Sequence, residues 1–585
     1  MDNTRNLVLA LVLCGALLFG WDLVVGRLYP QPVGVERSER IDTPTERAAT
    51  HSRDGGLTDP LALAEEERDL ATVLANQGRV RIDAPEVAGS IDPVGARVDD
   101  IVLKTHRQTV ERDSGPVRLF SPAGTPAQQF AQFGWVGEGV RAPDATTRWQ
   151  VTGGPLTQRS PVVFTWINGQ GQIFRLTFTI DQFYMLTVAQ TVANRAAGPV
   201  ALRPYAFVNR TSDSASLDTW NVHSGPIGDF AGSVDFGWNY DDVAEEGPVT
   251  PAGAARWVGF TDIYWLSALI PQPDASAEGT WRSLGNDLYR ADLIYDPLTV
   301  QPGSQATRTT RLFVGAKESE VLDHYEDGGV ENFGLAIDWG WFRWFMKPIF
   351  WLLRTLFDAV GNFGVAIILL TVIIRGLMFP IAQKQFASMA QLRAVQPKMK
   401  ALQERHKEDR AKLQEEMARL YREEKIKPLA GCLPIFLQIP IFFALYKTLL
   451  IAIEMRHQPF VGWIKDLSAP DPATILNLFG LLSFTPPSFL AVGVLAVLLG
   501  ITMWLQFKLN PAAMDPMQQQ IFMIMPWVLM FVMAPFAAGL LIYWITSNIL
   551  TLAQQRYLYA RHPQLRVQAE KDAAEKARAA ERGSA

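Results

Sequence analysis

Residues 364–380 read GVAIILLTVIIRGLMFP, an apolar run interrupted by a single cationic side chain, Arg375. A guanidinium inside a segment of this character costs at least ~2.5–3.5 kcal/mol on membrane insertion. It must snorkel to a headgroup, find a partner, or line a wet cavity. Arg375 stands near the C-terminal end of the run, where a headgroup is within reach. The run alone leaves both readings open, so the neighbouring sequence has to decide.

Before the run, residues 338–360 are dense in aromatics and broken by Arg343, Lys347 and Arg354, a mixture suited to an amphipathic helix lying in the membrane interface. Residues 361–383 then form a span. After it, residues 381–428 carry 12 Lys/Arg against 7 Asp/Glu. Within them Leu392, Val395, Met399 and Leu402 are spaced 3-4-3, and Leu413, Met417 and Leu420 are spaced 4-3. Those narrow seams predict a helical hairpin over 384–428 that turns near 406–409. Its charges read as a solvated face. Further apolar segments follow at 429–453, 488–508, 521–535 and 536–557, the last two joined so closely at Pro535 that they must form a tight hairpin. The loop 454–487 holds 2 Lys/Arg against 3 Asp/Glu, so the positive-inside rule puts the basic hairpin, the loop 509–520 and the tail 558–585 in the cytoplasm.

At the other end, residues 7–25 are apolar except for Asp22 and follow Arg5. That length spans a bilayer. Phe19, Trp21 and Asp22 stand where a cleavable signal would need small residues, so residues 1–30 read as an uncleaved anchor with its N-terminus inside. Six spans with both termini cytoplasmic result. Residues 31–75 mix Pro, Gly, Ser, Thr and charge, as a flexible tether does. Residues 76–330 alternate short strand-like runs with turn residues, as in an all-β domain. The clearest run is 173–180, where Phe174, Leu176, Phe178 and Ile180 alternate with Arg175, Thr177 and Thr179. The runs 98–103, 162–166, 184–192, 201–208, 257–260 and 309–314 read likewise. The two cysteines, Cys14 and Cys432, lie in apolar segments and exclude a disulfide framework. A net charge of −5 carries no sign of a direct nucleic-acid site.

Several strings stand in one order: TVIIRGLMFPIAQKQ (371–385), GCLPIFLQIPIFFALY (431–446), FVGWIKDLSAPDP (460–472), DPMQQQIFMIMP (515–526) and AAGLLIYWITSNILTLAQQ (537–555). With WVGFTDIYWLSALIP (257–271) and LFVGAKE (312–318) they resemble the YidC, Oxa and Albino insertase family in its Gram-negative form. The resemblance implies a multi-domain protein of the inner (plasma) membrane. Its parts would be an α-helical bundle of six spans with a five-span conserved core, a large periplasmic all-β supersandwich domain like that of sugar mutarotases, and a cytoplasmic hairpin. It further implies an insertase and folding chaperone, not an enzyme, working through a hydrophilic groove independently of or together with the Sec translocon (SecYEG, SecDF). Nascent membrane proteins, the ribosome and signal recognition pathway, and membrane lipids would be its partners. No cofactor or metal is implied. Arg375 matches the groove charge, and Thr371, Tyr543 and Trp544 match positions that contact substrate. Gln438, Gln506, Ser547 and Asn548 are polar groups within spans. Each is a groove candidate, and each could instead make an interhelical hydrogen bond worth ~0.6 kcal/mol.

Two other functions fit parts of the chain. A carbohydrate-active enzyme built on the β domain would want positioned His and carboxylate groups, and that region offers His106 and His223, with His324 at its edge. A small-solute transporter could use Arg375 to hold an anion. Against it, the spans show no repeat. A nucleotide-driven machine is disfavoured, because the chain lacks a Gly-Lys dipeptide on which to build a phosphate loop.

Overall fold

The computed structural model describes residues 54–561 apart from 76–77, 112, 217–221, 341, 407–408, 425–432, 480–481, 483–490 and 510–515. The expected anchor, the first part of the tether and the tail beyond residue 561 lie outside the described residues. The described residues fall into two compact units, one reaching Ile337 and one beginning at Asp338, with residues 108–115 grouped in the second.

The first unit is built on two nine-stranded sheets. One runs in spatial order Val80–Asp83, Val87–Asp92, Arg97–Arg107, Gln129–Val136, Val200–Thr211, Leu288–Tyr295, Ala277–Gly285, with Pro116–Phe120 also paired to Arg97–Arg107 and Leu298–Val300 to Val200–Thr211. The other runs Ser233–Asp235, Gly225–Phe230, Ala255–Thr261, Trp265–Pro271, Gln305–Ala316, Met185–Asn194, Gln172–Ile180, Val162–Ile167, Gln150–Thr152. The alternating run lies in the strand Gln172–Ile180: Phe174, Leu176, Phe178 and Ile180 are buried, while Arg175 and Thr179 are exposed. Period-two alternation sends one set of side chains to each face, and here the apolar set meets the other sheet. Phe178 packs edge-on to Phe133 at 6.1 Å, and Phe174 to Trp135 at 5.1 Å. Each such ring removed from water contributes ~1.5–3 kcal/mol.

One expectation needs correcting. Residues Pro60–Leu74, inside the stretch read as tether, form a helix, α1. The Asp59 carboxylate accepts the Leu61 N–H at 3.1 Å, Pro60 presets the first turn, and the buried Glu66 carboxylate accepts the Ala127 N–H at 2.8 Å. Tertiary contact orders a segment whose composition alone is that of a linker. The remaining helices of this unit are α2 (Tyr240–Glu246) and α3 (Ser319–Asp327).

Burial also sets an acid-base property here. Asp99 lies against Arg79, but burial outweighs the guanidinium's attraction and pushes its carboxyl up to about 6. The folded carboxyl therefore holds its proton more tightly than the unfolded one, near ~3.9. Stability from this group is complete below about pH 4 and is lost as pH rises through 6. Urea midpoints of the purified chain, read by tryptophan fluorescence from pH 4 to 7, should fall with rising pH, and Asp99→Asn should flatten that slope.

The second unit is helical: α4 (Arg343–Val360), α5 (Phe363–Leu377), α6 (Phe379–Arg405), α7 (Arg410–Glu423), α8 (Leu433–Ile451), α9 (Val494–Leu509), α10 (Pro516–Met533) and α11 (Ala538–Arg561). α4 buries Met346, Phe350 and Leu353 along one stripe and exposes Trp344 and Trp351, as an interfacial helix does. Gly361 closes it at φ 68°, a left-handed cap that glycine adopts without penalty. α5 then opens on Asn362, whose side chain accepts the Val365 N–H at 3.1 Å and donates to Phe460 O at 3.1 Å. The Phe460 ring lies directly on Gly364, where a Cβ would come within 2.0 Å of it, so no larger residue fits. α5 and α6 meet at Met378, where Pro380 lacks the N–H that a continuous helix would use.

α6 ends at Arg405 and α7 begins at Arg410, and Val395, Met399 and Leu420 are buried between the two with Leu402 and Met417 beside them. α9 packs on α10 and α11, and α11 on α5. The helical stretch Phe363–Gln385 is by itself long and apolar enough to cross a membrane; Gln438–Ile451, Val494–Lys508 and Met523–Met533 are shorter apolar helices. On α10, Ile524, Trp527, Val528 and Phe531 are exposed at helical spacing on one face, a surface matched to hydrocarbon.

The loop before α9 is held by one carboxylate. Asp471 Oδ1 accepts Trp463 Nε1–H at 2.9 Å and the Ala473 N–H at 3.0 Å, and Oδ2 accepts the Leu495 N–H at 2.8 Å, capping α9. Asp471 is buried, so Asp471→Ala leaves three donors unmet and is expected to cost ~2–3 kcal/mol. A thermal-unfolding series in detergent checks it, with Asp471→Asn falling between.

Candidate functional site

α5 delivers Arg375 in its last turn, one turn beyond Thr371, and α11 packs against that turn. Arg375 is half-buried and donates from Nε to Ser547 Oγ at 3.0 Å, with Nη2 on the same oxygen. Two turns along α11, Gln554 donates from Nε2 to the Arg375 carbonyl at 3.3 Å. That carbonyl is among the last four of α5, which have no partner within their own helix. α11 thus holds both the side chain and the backbone of Arg375. The contacts recorded for its guanidinium are with a neutral hydroxyl. Among the described residues Arg375 makes no ion pair.

The other expected residues divide by where they point. Gln438 of α8 donates from Nε2 to the Tyr543 hydroxyl, and Tyr543 is buried. Asn548 is buried and donates to Thr502 Oγ1 of α9 at 3.2 Å, while Thr502 donates to Leu499 O at 3.0 Å. Gln506, half-buried on α9, stands outside these contacts among the described residues. Trp544 is half-buried and meets Phe442 of α8 edge-on at 5.2 Å. Phe442 in turn is stacked with Tyr446 at 6.5 Å, and Tyr446 meets Phe536 at 5.6 Å.

Thr371 is fully buried and its hydroxyl donates to Ile367 O at 2.6 Å, while its neighbours Val372 and Ile373 are exposed. Tyr543 likewise turns inward, leaving Trp544 the outer member of the aromatic pair. In a helix adjacent positions face about 100° apart, so a neighbour of a lipid-facing residue is often interior. Thr502 and Gln554 join these contacts through packing of α11 rather than through any motif. Gln554 was legible in principle, since it lies seven residues beyond Ser547 and therefore on the same face of α11.

Two histidines of the first unit, His106 and His223, are engaged elsewhere. His106 Nε2 lies 3.0 Å from Glu318 Oε1, which also accepts the Tyr184 hydroxyl at 2.6 Å, and the buried His223 Nε2 lies 2.8 Å from Pro226 O.

With this geometry in hand, the chain can be set beside known proteins. Residues 355–565 match the family model described as 60Kd inner membrane protein, and residues 79–352 match that of the YidC periplasmic domain. The chain is 45% identical over 562 residues to the membrane protein insertase YidC of Zymomonas mobilis subsp. mobilis, covering 95% of each chain. It is 42% identical over 588 residues to the protein of the same name from Dinoroseobacter shibae, covering 96% of each. A solved structure titled as an active YidC insertase with its first transmembrane domain resolved aligns at 18% identity over 84% of this chain and 97% of that one, with a TM-score of 0.34. Identity of this order over nearly the whole of both chains means that the chain belongs to the YidC membrane protein insertase family.

Proposed function

We propose that the chain inserts transmembrane segments into the bacterial inner membrane and assists their folding, with Arg375 as the charge of a hydrated groove and the edge formed by Val372, Ile373 and Trp544 as the exit to lipid. The observation that carries this reading is a cation held by a neutral hydroxyl, Ser547, and by α11 on two sides. Passing a polar tail through hydrocarbon costs several kcal/mol for each unpaired backbone group or charge. A wet notch shortens the hydrocarbon path. A fixed guanidinium keeps water there and attracts acidic residues of the incoming tail, and it does so more strongly than a surface charge because the local dielectric is low. The apolar part of the client then leaves sideways into lipid, which returns ~25 cal/mol per Å² of apolar surface removed from water. That transfer is itself the driving force, so no nucleotide is required.

In this reading five apolar helical segments of the second unit and residues 7–25 make six spans with both termini cytoplasmic and the β unit periplasmic. The basic hairpin of α6 and α7 receives clients from the ribosome and signal recognition pathway, and the chain works alone or beside the Sec translocon in contact with lipid. The test is site-specific photocrosslinking from positions 371, 372 and 544 to a stalled nascent membrane protein. Capture is expected from 372 and 544, weaker from the buried 371. Absence of capture at all three, with the protein stably expressed, sinks the exit path.

A further inference from the structure

The first unit carries a cleft that the insertion reading does not use. It encloses about 460 Å³ on one side of the first sheet, and its lining includes Gln132, Trp135, Asp144, Tyr205, Phe207 and Arg290. That volume falls within the ~300–1,000 Å³ of small-molecule sites. Register puts Gln132 opposite Phe207 and Gly134 opposite Tyr205, so the amide and the two rings share one face of the sheet. Tyr205 and Phe207, two residues apart on one strand, lie parallel within 6° at 6.1 Å. Tyr205 lies flat because Gly134 has no side chain: a Cβ there would come within 2.5 Å of the Tyr205 hydroxyl. The result is a broad aromatic wall. Arg290 covers part of it, with its guanidinium 4.0 Å from the Phe207 centroid and Nε donating to Asn209 Oδ1 at 2.8 Å.

The polar groups around this wall are held in place. Asp144 Oδ1 accepts from the Thr146 N–H at 2.9 Å and from the hydroxyls of Thr146 at 2.8 Å and Thr147 at 2.9 Å, which hold its carboxyl below the ordinary aspartate value. Gln132 is only 4% exposed, a carboxamide kept within the cleft. The lining thus offers one cation, one anion and one amide around flat rings, which balances in charge and favours a neutral, hydroxyl-rich ring over an anion or a cation. An extended peptide is disfavoured. The two strands under the cleft, Gln129–Val136 and Val200–Thr211, are paired on both edges and leave no ladder open for an added strand.

The geometry points to a saccharide-binding cleft on the β unit, in which a neutral pyranose lies against Tyr205 and Phe207 while Gln132, Asp144 and Arg290 take its hydroxyls. The test uses the full chain in nanodiscs and saturation-transfer NMR with methyl glucoside, methyl galactoside and maltose as probes. Saturable transfer to ring protons of at least one probe is expected, weakened roughly tenfold by Tyr205→Ala and retained in Tyr205→Phe. Gln132→Leu, which keeps the bulk and removes the amide, should weaken it as well, and provides a second reading if Tyr205→Ala folds poorly. The proposal is overturned if none of the three probes gives saturable transfer, if both variants bind as the parent does, or if a Gly-Ser peptide displaces the sugar.

Discussion

Arg375→Ala is expected to lower insertion of a client with an acidic translocated tail at least tenfold, and to leave a client with a short uncharged tail within about twofold. The size follows from the charge and its surroundings. A carboxylate ~4 Å from a guanidinium gains about 4 kcal/mol at an effective dielectric of ~20. Each ~1.4 kcal/mol of barrier is a factor of ten in rate, so retaining a third of that attraction in the crossing step suffices. Arg375→Lys keeps the charge but cannot make the two-nitrogen contact to one hydroxyl that Arg375 makes to Ser547, so an intermediate loss is expected. Ser547→Ala removes the hydroxyl and leaves the cation, which predicts a smaller, two- to fivefold effect in the same direction, consistent with ~0.5–1 kcal/mol for one such contact. The measurement is protease accessibility of pulse-labelled clients in a depletion strain carrying each variant. Equal insertion of the acidic client by parent and Arg375→Ala refutes the capture mechanism. Loss of both clients together would instead point to a packing role for Arg375 against α11.

What the sequence could and could not disclose follows from the range of the interactions. Phe174, Leu176, Phe178 and Ile180 announce their strand because period-two burial is written in consecutive residues. The seam of Val395, Met399 and Leu420 is legible for the same reason, since its two halves each repeat at helical spacing. The pairing of Arg375 with Ser547 is not written in any local pattern, because the two lie 172 positions apart and either residue alone fits several environments. Thr371 shows the opposite limit: its place one turn before Arg375 is readable from the motif, but its inward orientation depends on how α5 rotates against its neighbours. α1 is hidden by a linker-like composition although Asp59-Pro60 is a helix-start signal, because the contact that holds it, Glu66 on the Ala127 N–H, is tertiary. The motif at 460–472 was legible as a signature without its cause. Phe460 on Gly364 and Asp471 at the head of α9 supply that cause, and it is structural.

The motif at 257–271 has a cause of the same kind, and it leads to the largest stability effect expected in the chain. Asp262 is buried and accepts from Arg210 Nη2 at 2.5 Å, from the Ser216 N–H at 2.7 Å and from the Ser224 hydroxyl at 3.1 Å. Arg210 is itself buried, on the strand Val200–Thr211 of the first sheet, while Asp262 follows the strand Ala255–Thr261 of the second. The pair therefore ties the two sheets together where water cannot replace either partner. Taking both ions out of water costs nearly what their attraction returns, so the intact pair adds little net stability, but removing one partner strands the other. Arg210→Ala is expected to destabilise the β unit by ~3–5 kcal/mol, and Asp262→Ala by a similar amount. The double variant Arg210→Met with Asp262→Leu, which removes both charges and keeps the volume, should recover most of the loss. Urea unfolding of the purified chain followed by tryptophan fluorescence distinguishes these outcomes. A single-variant loss under ~1 kcal/mol, or a double variant as unstable as the sum of the two, would show that packing around the pair, rather than its charge, holds the sheets together at this point.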